Sequence, residues 1–337
     1  MPTQAQVVPD QGLTRAAALE ISGLRVEFPT LSGRPKVVIR DLDLAIQAGE
    51  IVGLVGESGA GKTTLARSIL KLPPAPARIA GGSVRFGGLD LLRLSERELQ
   101  RMRGRDLSMV VPNPRGELNP LLPVGEQIAN IARVHLGKDR KSALAAALDM
   151  LRAVQIPDPE RRMKAYPHEL SGGMAQRVVI AIALVCSPRF IISDDATSGL
   201  DVTVQAQILT LLRQLARERD SAMLFITRDV GIAAHFCDRV AVIYEGEIME
   251  IAPREKLFLS PRHPYTAMLL AAFSHNPRLR RGWNSPEVAQ RQAGAQAGCV
   301  YAGRCPRART LCGQAPPGLG EVFPGHFARC HFPLETT

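Results

Sequence analysis

The sequence predicts an α/β fold: a mostly parallel sheet covered by helices, with an antiparallel β subdomain before it, an inserted helical subdomain and a cysteine-bearing C-terminal extension. Three observations carry this reading. Short apolar strands alternate with helix-like stretches through the second half of the chain, the pattern of repeated βα units. A compact apolar strand, Ile51 to Val55, runs straight into a glycine-rich turn and a helix-like segment, KTTLARSILKL. Near the N-terminus the apolar residues alternate with polar ones, in LEISGLRVEF and KVVIRDLDLAI, as antiparallel strands with one buried face do.

Taken in order, residues 1–17 lack any periodicity and read as a flexible tail. The alternating strands begin at Leu19, and Val84–Phe86 reads as one more short strand. After the apolar Leu107–Val111 comes a long helical stretch, about 124–186, broken around Pro157, Pro159 and Pro167. Strand and helix then alternate through RFIIS, a helix from Val204 to Arg217, the strand AMLFIT, a helix through Ala233 and a hairpin, RVAVIYEGEIMEI. Beyond Pro261 the pattern weakens to one helix, about 264–273, and a Pro/Arg/Cys-rich end. The expected organisation is a main domain over 18–260 with a helical subdomain at about 112–187, and an extension over 261–337.

Composition narrows the function. The 337 residues are 45% hydrophobic and 22% charged, ordinary for a chain with a full core. Aromatics make up only 4% and no base-reading motif accompanies the net charge of +10, which argues against nucleic acid as a partner. Nine arginines against three acidic residues from Pro261 onward place +6 of that charge in the last quarter, suited to anionic headgroups, to an acidic partner surface, or simply to solvent. The longest strongly apolar run, Val178 to Cys186, is far short of the roughly 20 residues that span a bilayer. The N-terminus lacks the pattern of a secretory signal, so a cytosolic location is expected. Cys186 and Cys237 sit in apolar stretches and read as core thiols, whereas Cys299, Cys305, Cys312 and Cys330 cluster in the last forty or so residues.

Gly56-Glu57-Ser58-Gly59-Ala60-Gly61-Lys62-Thr63 fits G-x-x-x-x-G-K-[ST], with the strand before it and the helix after it that this motif requires. Such a loop curls backbone N–H groups around phosphates at a helix N-terminus, where the dipole favours negative charge. Lys62 is placed to neutralise β- and γ-phosphates, the Thr63 hydroxyl to ligate Mg²⁺, and Thr64 follows in the same turn. Phe190-Ile191-Ile192-Ser193-Asp194 supplies the second requirement, an apolar strand ending in a carboxylate for the Mg²⁺ shell. The fold expected is that of a P-loop NTPase.

Leu170-Ser171-Gly172-Gly173-Met174-Ala175-Gln176-Arg177 resembles the signature of ABC ATPases, and it stands just before the Asp194 strand, where that family places it. Ser198-Gly199-Leu200-Asp201 resembles the family's D-loop. The resemblance covers roughly residues 18–260. It implies that Ser171, Gly172, Gly173 and Gln176 reach across a dimer interface to nucleotide held by another cassette. Asp201-Val-Thr-Val-Gln-Ala-Gln207, Asn119-Pro120 and Pro264-Tyr265-Thr266 are similar to the oligopeptide/dipeptide and nickel importer ATPases, some of which hold a [4Fe–4S] cluster on four cysteines. The spacing here, C-x5-C-x6-C-x17-C, suits a cluster, zinc or unligated thiols, and soft-ligand chemistry alone does not choose among them.

The sequence departs from the family pattern at one composite site. The water-polarising Glu is replaced by Asp195, the switch His by Arg228 and the Q-loop Gln by Pro112, while Ala196 replaces a Pro. A carboxylate drawn back by one methylene loses position. A guanidinium accepts no hydrogen bond, although it stabilises transferring phosphoryl groups. The resemblance therefore implies an ATP- and Mg²⁺-binding subunit of an importer for peptides or a related small solute, at the cytoplasmic face of the cell membrane. Its expected partners are a second ATPase in a heterodimer, two permease subunits and a solute-binding protein. Its own site is expected to turn over slowly, with Asp195 and Arg228 as its reactive pair, while its signature serves the partner. The alternatives are a catalytically silent nucleotide-binding subunit and a soluble ABC ATPase outside transport. Phe28 is the candidate for stacking on adenine.

Overall fold

The computed structural model describes residues 17–31, 33–273 and 297–335. The tail expected over 1–17 therefore lies, but for Ala17, outside the described residues. In chain order, strands β1 (Ala17–Phe28), β2 (Lys36–Gln47) and β3 (Ile51–Val55) lead into helix α1 (Lys62–Ile69). Next come β4 (Arg78–Phe86), β5 (Leu89–Asp90), α2 (Glu96–Met102) and β6 (Leu107–Val110). Five helices follow without a strand between them: α3 (Pro114–Glu117), α4 (Val124–Leu136), α5 (Arg140–Ala153), α6 (Pro159–Arg162) and α7 (Gly172–Leu184). The βα alternation then resumes with β7 (Phe190–Asp194), α8 (Val202–Glu218), β8 (Ala222–Thr227), α9 (Val230–Phe236), β9 (Arg239–Tyr244), β10 (Glu247–Pro253), α10 (Arg254–Leu259) and α11 (Pro264–Phe273). The chain ends with α12 (Thr310–Gln314), β11 (Gly320–Phe323) and β12 (His326–Ala328).

Two sheets result. The first is antiparallel, ordered β2-β1-β4-β5. The second is eight-stranded, ordered β11-β12-β10-β9-β3-β8-β7-β6, and is parallel from β6 through β9. All five residues of β3 and of β7 are buried, as expected for strands covered on both faces. One core lies between the sheets, where Leu19, Ile21, Leu24 and Leu42 meet Leu54, Leu65, Ile192 and Leu224. The other packs α4, α5, α7, α8 and α9 against the opposite face of the central sheet and reaches Tyr265, Tyr301 and three of the C-terminal cysteines. Cys237 is fully buried in it, whereas Cys186 is only half-buried.

Two elements are more extensive than the sequence pattern predicts. The strand expected at Val84–Phe86 extends back to Arg78, because its pairing with β1 shifts register between Ser22 and Arg25, opposite Gly81 and Gly82. That irregularity hides the alternation. The irregular end expected beyond Pro261 instead carries a hairpin, β11–β12, whose inner strand pairs with β10.

A buried carboxylate secures this last element. Glu250 on β10 is fully buried and accepts from the backbone N–H groups of Arg262 (2.7 Å) and His263 (2.8 Å). Its Oε1 also lies 2.6 Å from Nε2 of His326 on β12. Replacing Glu250 with Ala leaves these buried partners unpaired, and unfolding free energy is expected to fall by about 3 kcal/mol. Urea denaturation of the full chain measures this, and a loss under about 1 kcal/mol would remove Glu250 from the account of what holds the extension.

Candidate functional site

The loop between β3 and α1 is shaped by what surrounds it. A Cβ on Gly56 would sit 2.2 Å from the carbonyl oxygen of Ile243 on β9, so no other residue fits there without moving that strand. Gly61, the residue before α1, has φ of 102°, in the left-handed region that glycine alone enters freely. Between these fixed points the chain turns tightly, with Ala60 N–H donating to Glu57 O and Leu65 N–H to Gly61 O.

A cleft of about 310 Å³ opens over this loop. Ser58, Gly59, Gly61, Lys62, Thr63 and Thr64 line one side, and Asp194, Asp195, Thr227 and Arg228, from the ends of β7 and β8, line the other. Gly56, Glu57 and Ala60 do not line it. Gly56 is packed against β9, Ala60 is buried, and Glu57 faces the C-terminal extension. Their contribution is to the shape of the loop and not to its ligand-facing wall.

Lys62 is nearly buried and donates to Gly56 O (2.7 Å) and Glu57 O (2.8 Å), which curves the side chain back along the loop. Burial holds its pKa below the ordinary lysine value, while Asp195 and Asp194 pull it back up. Asp194 is 2% exposed, and burial pushes its carboxyl up, opposed by a hydrogen bond from the Thr63 side chain. Its Oδ2 is buried and finds no hydrogen-bond partner among the described residues. A hydroxyl and a carboxylate with one oxygen unpartnered, both beside a phosphate loop, are hard oxygen donors of the kind that suit Mg²⁺. The residues present therefore fit the ion, with Thr63 and Asp194 as those that could hold it.

Asp195 and Arg228 are brought together. Arg228 Nη2 lies 3.2 Å from Asp195 Oδ2 and donates to Ser198 Oγ at 3.3 Å. Asp195 itself has φ of 47°, a strained backbone held by Asp195 N–H to Ile226 O and by Ser198 N–H to Asp195 O. A partly exposed pair of this kind adds little to stability. Its effect is local: it occupies a carboxylate oxygen that would otherwise be free to accept a proton from water. Pro112, just beyond β6, does not line the cleft, and neither does Phe28; the residue of the antiparallel sheet that does is Val38.

The signature lies elsewhere on the surface. Ser171 is exposed and caps α7, accepting from Met174 N–H at 3.3 Å. A Cβ on Gly173 would meet Val204 of α8 at 2.7 Å, so this glycine permits close packing of the two helices. Gly172 lies against Leu200 of the D-loop, whose Asp201 caps α8. Gln176 corrects the sequence reading: it is 1% exposed, within the packed face of α7, and is not available to a ligand at the surface.

The four C-terminal cysteines converge on a small cavity that His263, Tyr301 and His331 also line. All four are free thiols, and burial pushes Cys299 and Cys305 up to about 11, which favours the protonated form. Among the described residues, no group of three or more His, Cys, Asp or Glu side chains is arranged to hold a metal ion. The expected iron–sulfur or zinc ligation thus has no support in this geometry.

Comparison with known proteins bears on the whole chain. The ABC transporter family model matches residues 39–198, and the model of the oligopeptide/dipeptide transporter C-terminal region matches residues 249–312. The oligopeptide transport ATP-binding protein OppD of Salmonella typhimurium is 42% identical over 325 residues, covering 94% of each chain. A probable peptide ABC transporter ATP-binding protein of Sinorhizobium fredii is 46% identical, over 85% of this chain and 86% of its own. The dipeptide transport ATP-binding protein DppD of Bacillus subtilis is 40% identical over 93% of each. Among solved structures, the ATP-binding cassette MJ0796, a dimer in a post-hydrolysis state bound to ADP and Pi, superposes with a TM-score of 0.63 at 25% identity, covering 70% of this chain and 98% of that one.

Proposed function

Because the chain belongs to the ABC transporter ATP-binding family, within its oligopeptide/dipeptide branch, we propose that it is the ATP-binding subunit of a peptide importer whose own hydrolytic site is weak and whose signature serves a second, hydrolysing ATPase. The transport names of the relatives support a peptide cargo and weigh against an ABC ATPase working outside transport.

In this reading the loop amides of Ser58, Gly59 and Gly61 to Thr64 and the Lys62 ammonium would bind the phosphates, and Thr63 and Asp194 would hold Mg²⁺. When bound, the ion would supply charge neutralisation to the phosphates. Asp195 stands where the water-orienting carboxylate is needed, but Arg228 holds one of its oxygens. That ion pair is the observation that carries the proposal. Ser171, exposed at the start of α7, and the half-buried Gly172 and Gly173 beside it supply donors to nucleotide on the partner cassette. No step runs through the four thiols.

Among the described residues no helix is long and apolar enough to cross a membrane. In this reading, which rests on the transport proteins it resembles, the subunit meets the bilayer at its cytoplasmic face through two permease chains, with a solute-binding protein delivering cargo on the far side.

The assembled complex tests this. Ser171→Arg is expected to lower turnover by roughly 10²-fold by blocking the partner's site, and Asp195→Asn to change it less than about 3-fold. If Asp195→Asn abolishes turnover while Ser171→Arg is mild, the asymmetry is wrong. The second reading, a silent subunit, rests on the same ion pair. Measurable ATP hydrolysis by the isolated chain separates the two.

A further inference from the structure

We propose that Arg304, in the C-terminal extension, is a positioning residue for the phosphate loop: it holds Glu57 against the extension and neutralises the negative charge that Glu57 brings to the loop. The two residues are 247 positions apart. The guanidinium makes two parallel hydrogen bonds to the carboxylate, Nη1 to Oε2 at 2.9 Å and Nη2 to Oε1 at 3.0 Å. Bidentate geometry of this kind fixes orientation as well as charge.

The clamp has its own scaffold. Arg304 ends a single helical turn, Ala302–Arg304, in which Ala302 N–H donates to Cys299 O and Arg304 N–H to Tyr301 O. Its guanidinium also donates to the Tyr244 hydroxyl at 3.3 Å and lies over the rings of Tyr244 (5.6 Å) and Tyr301 (6.0 Å). Tyr244, Tyr265 and Tyr301 pack on one another with centroids 4.7 to 5.3 Å apart. From the same cluster the Tyr265 hydroxyl accepts from the backbone N–H of Glu57 at 3.2 Å. Side chain and backbone of one loop residue are thus both held by the extension.

That residue sits where a displacement matters. Glu57 O accepts from Lys62 Nζ and from Ala60 N–H, so its carbonyl helps set the curve of the loop. Glu57 also contributes a negative charge within the Coulomb field that Lys62 experiences. A formal negative charge carried on the phosphate loop opposes binding of a triphosphate unless it is paired, and Arg304 is the cation that pairs it. The inference needs only that the chain binds Mg-ATP, and it stands whether or not the site turns over.

Binding of a fluorescent ATP analogue with Mg²⁺ to the purified full chain provides the test. Arg304→Ala is expected to raise Kd by about 5- to 10-fold, and Arg304→Lys, which keeps the charge and loses the fork, by only about half that factor. Adding Glu57→Gln to Arg304→Ala removes the uncompensated carboxylate and is expected to return Kd to within about 2-fold of the parent. Arg304 merely bracing the extension would give no such rescue. An unchanged Kd in Arg304→Ala, or a double variant no tighter than Arg304→Ala, overturns the proposal.

Discussion

Exchanging Asp195 for Glu and Arg228 for His together should raise ATP hydrolysis by the isolated chain by about 10²-fold, the range in which a correctly placed general base acts. Arg228 lies 3.2 Å from an Asp195 oxygen and bonds Ser198 as well, so the carboxylate is both one methylene short and partly engaged. Lengthening it alone leaves the guanidinium in place, and Asp195→Glu by itself is expected to recover only a minor share. Removing the guanidinium alone leaves a free carboxylate that is still too short. The pair of changes addresses both faults and puts a hydrogen-bond acceptor at the end of β8. Steady-state phosphate release measures the result. If the double variant is no faster than the parent while still binding Mg-ATP, the weakness of this site lies elsewhere, and Pro112 becomes the residue to exchange next.

Lys62→Ala should weaken Mg-ATP binding by roughly 10²-fold, the usual scale for losing a charge-assisted contact to a phosphate in a partly desolvated site. The lysine is nearly buried, its ammonium hydrogen-bonded to two loop carbonyls and flanked by Asp194 and Asp195. Moving from those carbonyls to phosphate oxygens exchanges neutral acceptors for charged ones, and the low-dielectric setting magnifies that gain. Truncation also leaves the Gly56 and Glu57 carbonyls without this donor, so the loop loses an internal tie. Isothermal titration with Mg-ATP reads the change. A Kd within about 3-fold of the parent would remove the loop from the centre of this account.

Much of this was legible because it is encoded locally. The strand–loop–helix around Lys62, the apolar strand ending in Asp194 and the paired departures at Asp195 and Arg228 are short-range patterns, and the structure places all of them on one cleft. The helical insertion was legible for the same reason, since α4, α5 and α7 are amphipathic or apolar runs, with prolines between α5 and α7. What remained hidden depends on partners far along the chain. Glu57 reads as one more loop residue until its 247-residue partner Arg304 is seen. Gln176 reads as a signature residue facing a ligand, but the pitch of α7 turns it into the core. The hairpin β11–β12 has only seven strand residues, and its inner strand becomes a strand by pairing with β10, which no local periodicity announces.

That pairing has a consequence for the cassette as a physical object. β12 covers the flank of β10 through Glu250 with Ala328 and Ile251 with Phe327, and Arg329 N–H continues the ladder to Met249 O. A chain cut shortly after residue 260 would leave a row of unsatisfied amide and carbonyl groups on a hydrophobic strand. Such a bare rim recruits strands from neighbouring molecules and seeds fibrous aggregation. The extension thus acts as a guard rail that keeps the sheet from growing beyond its own molecule.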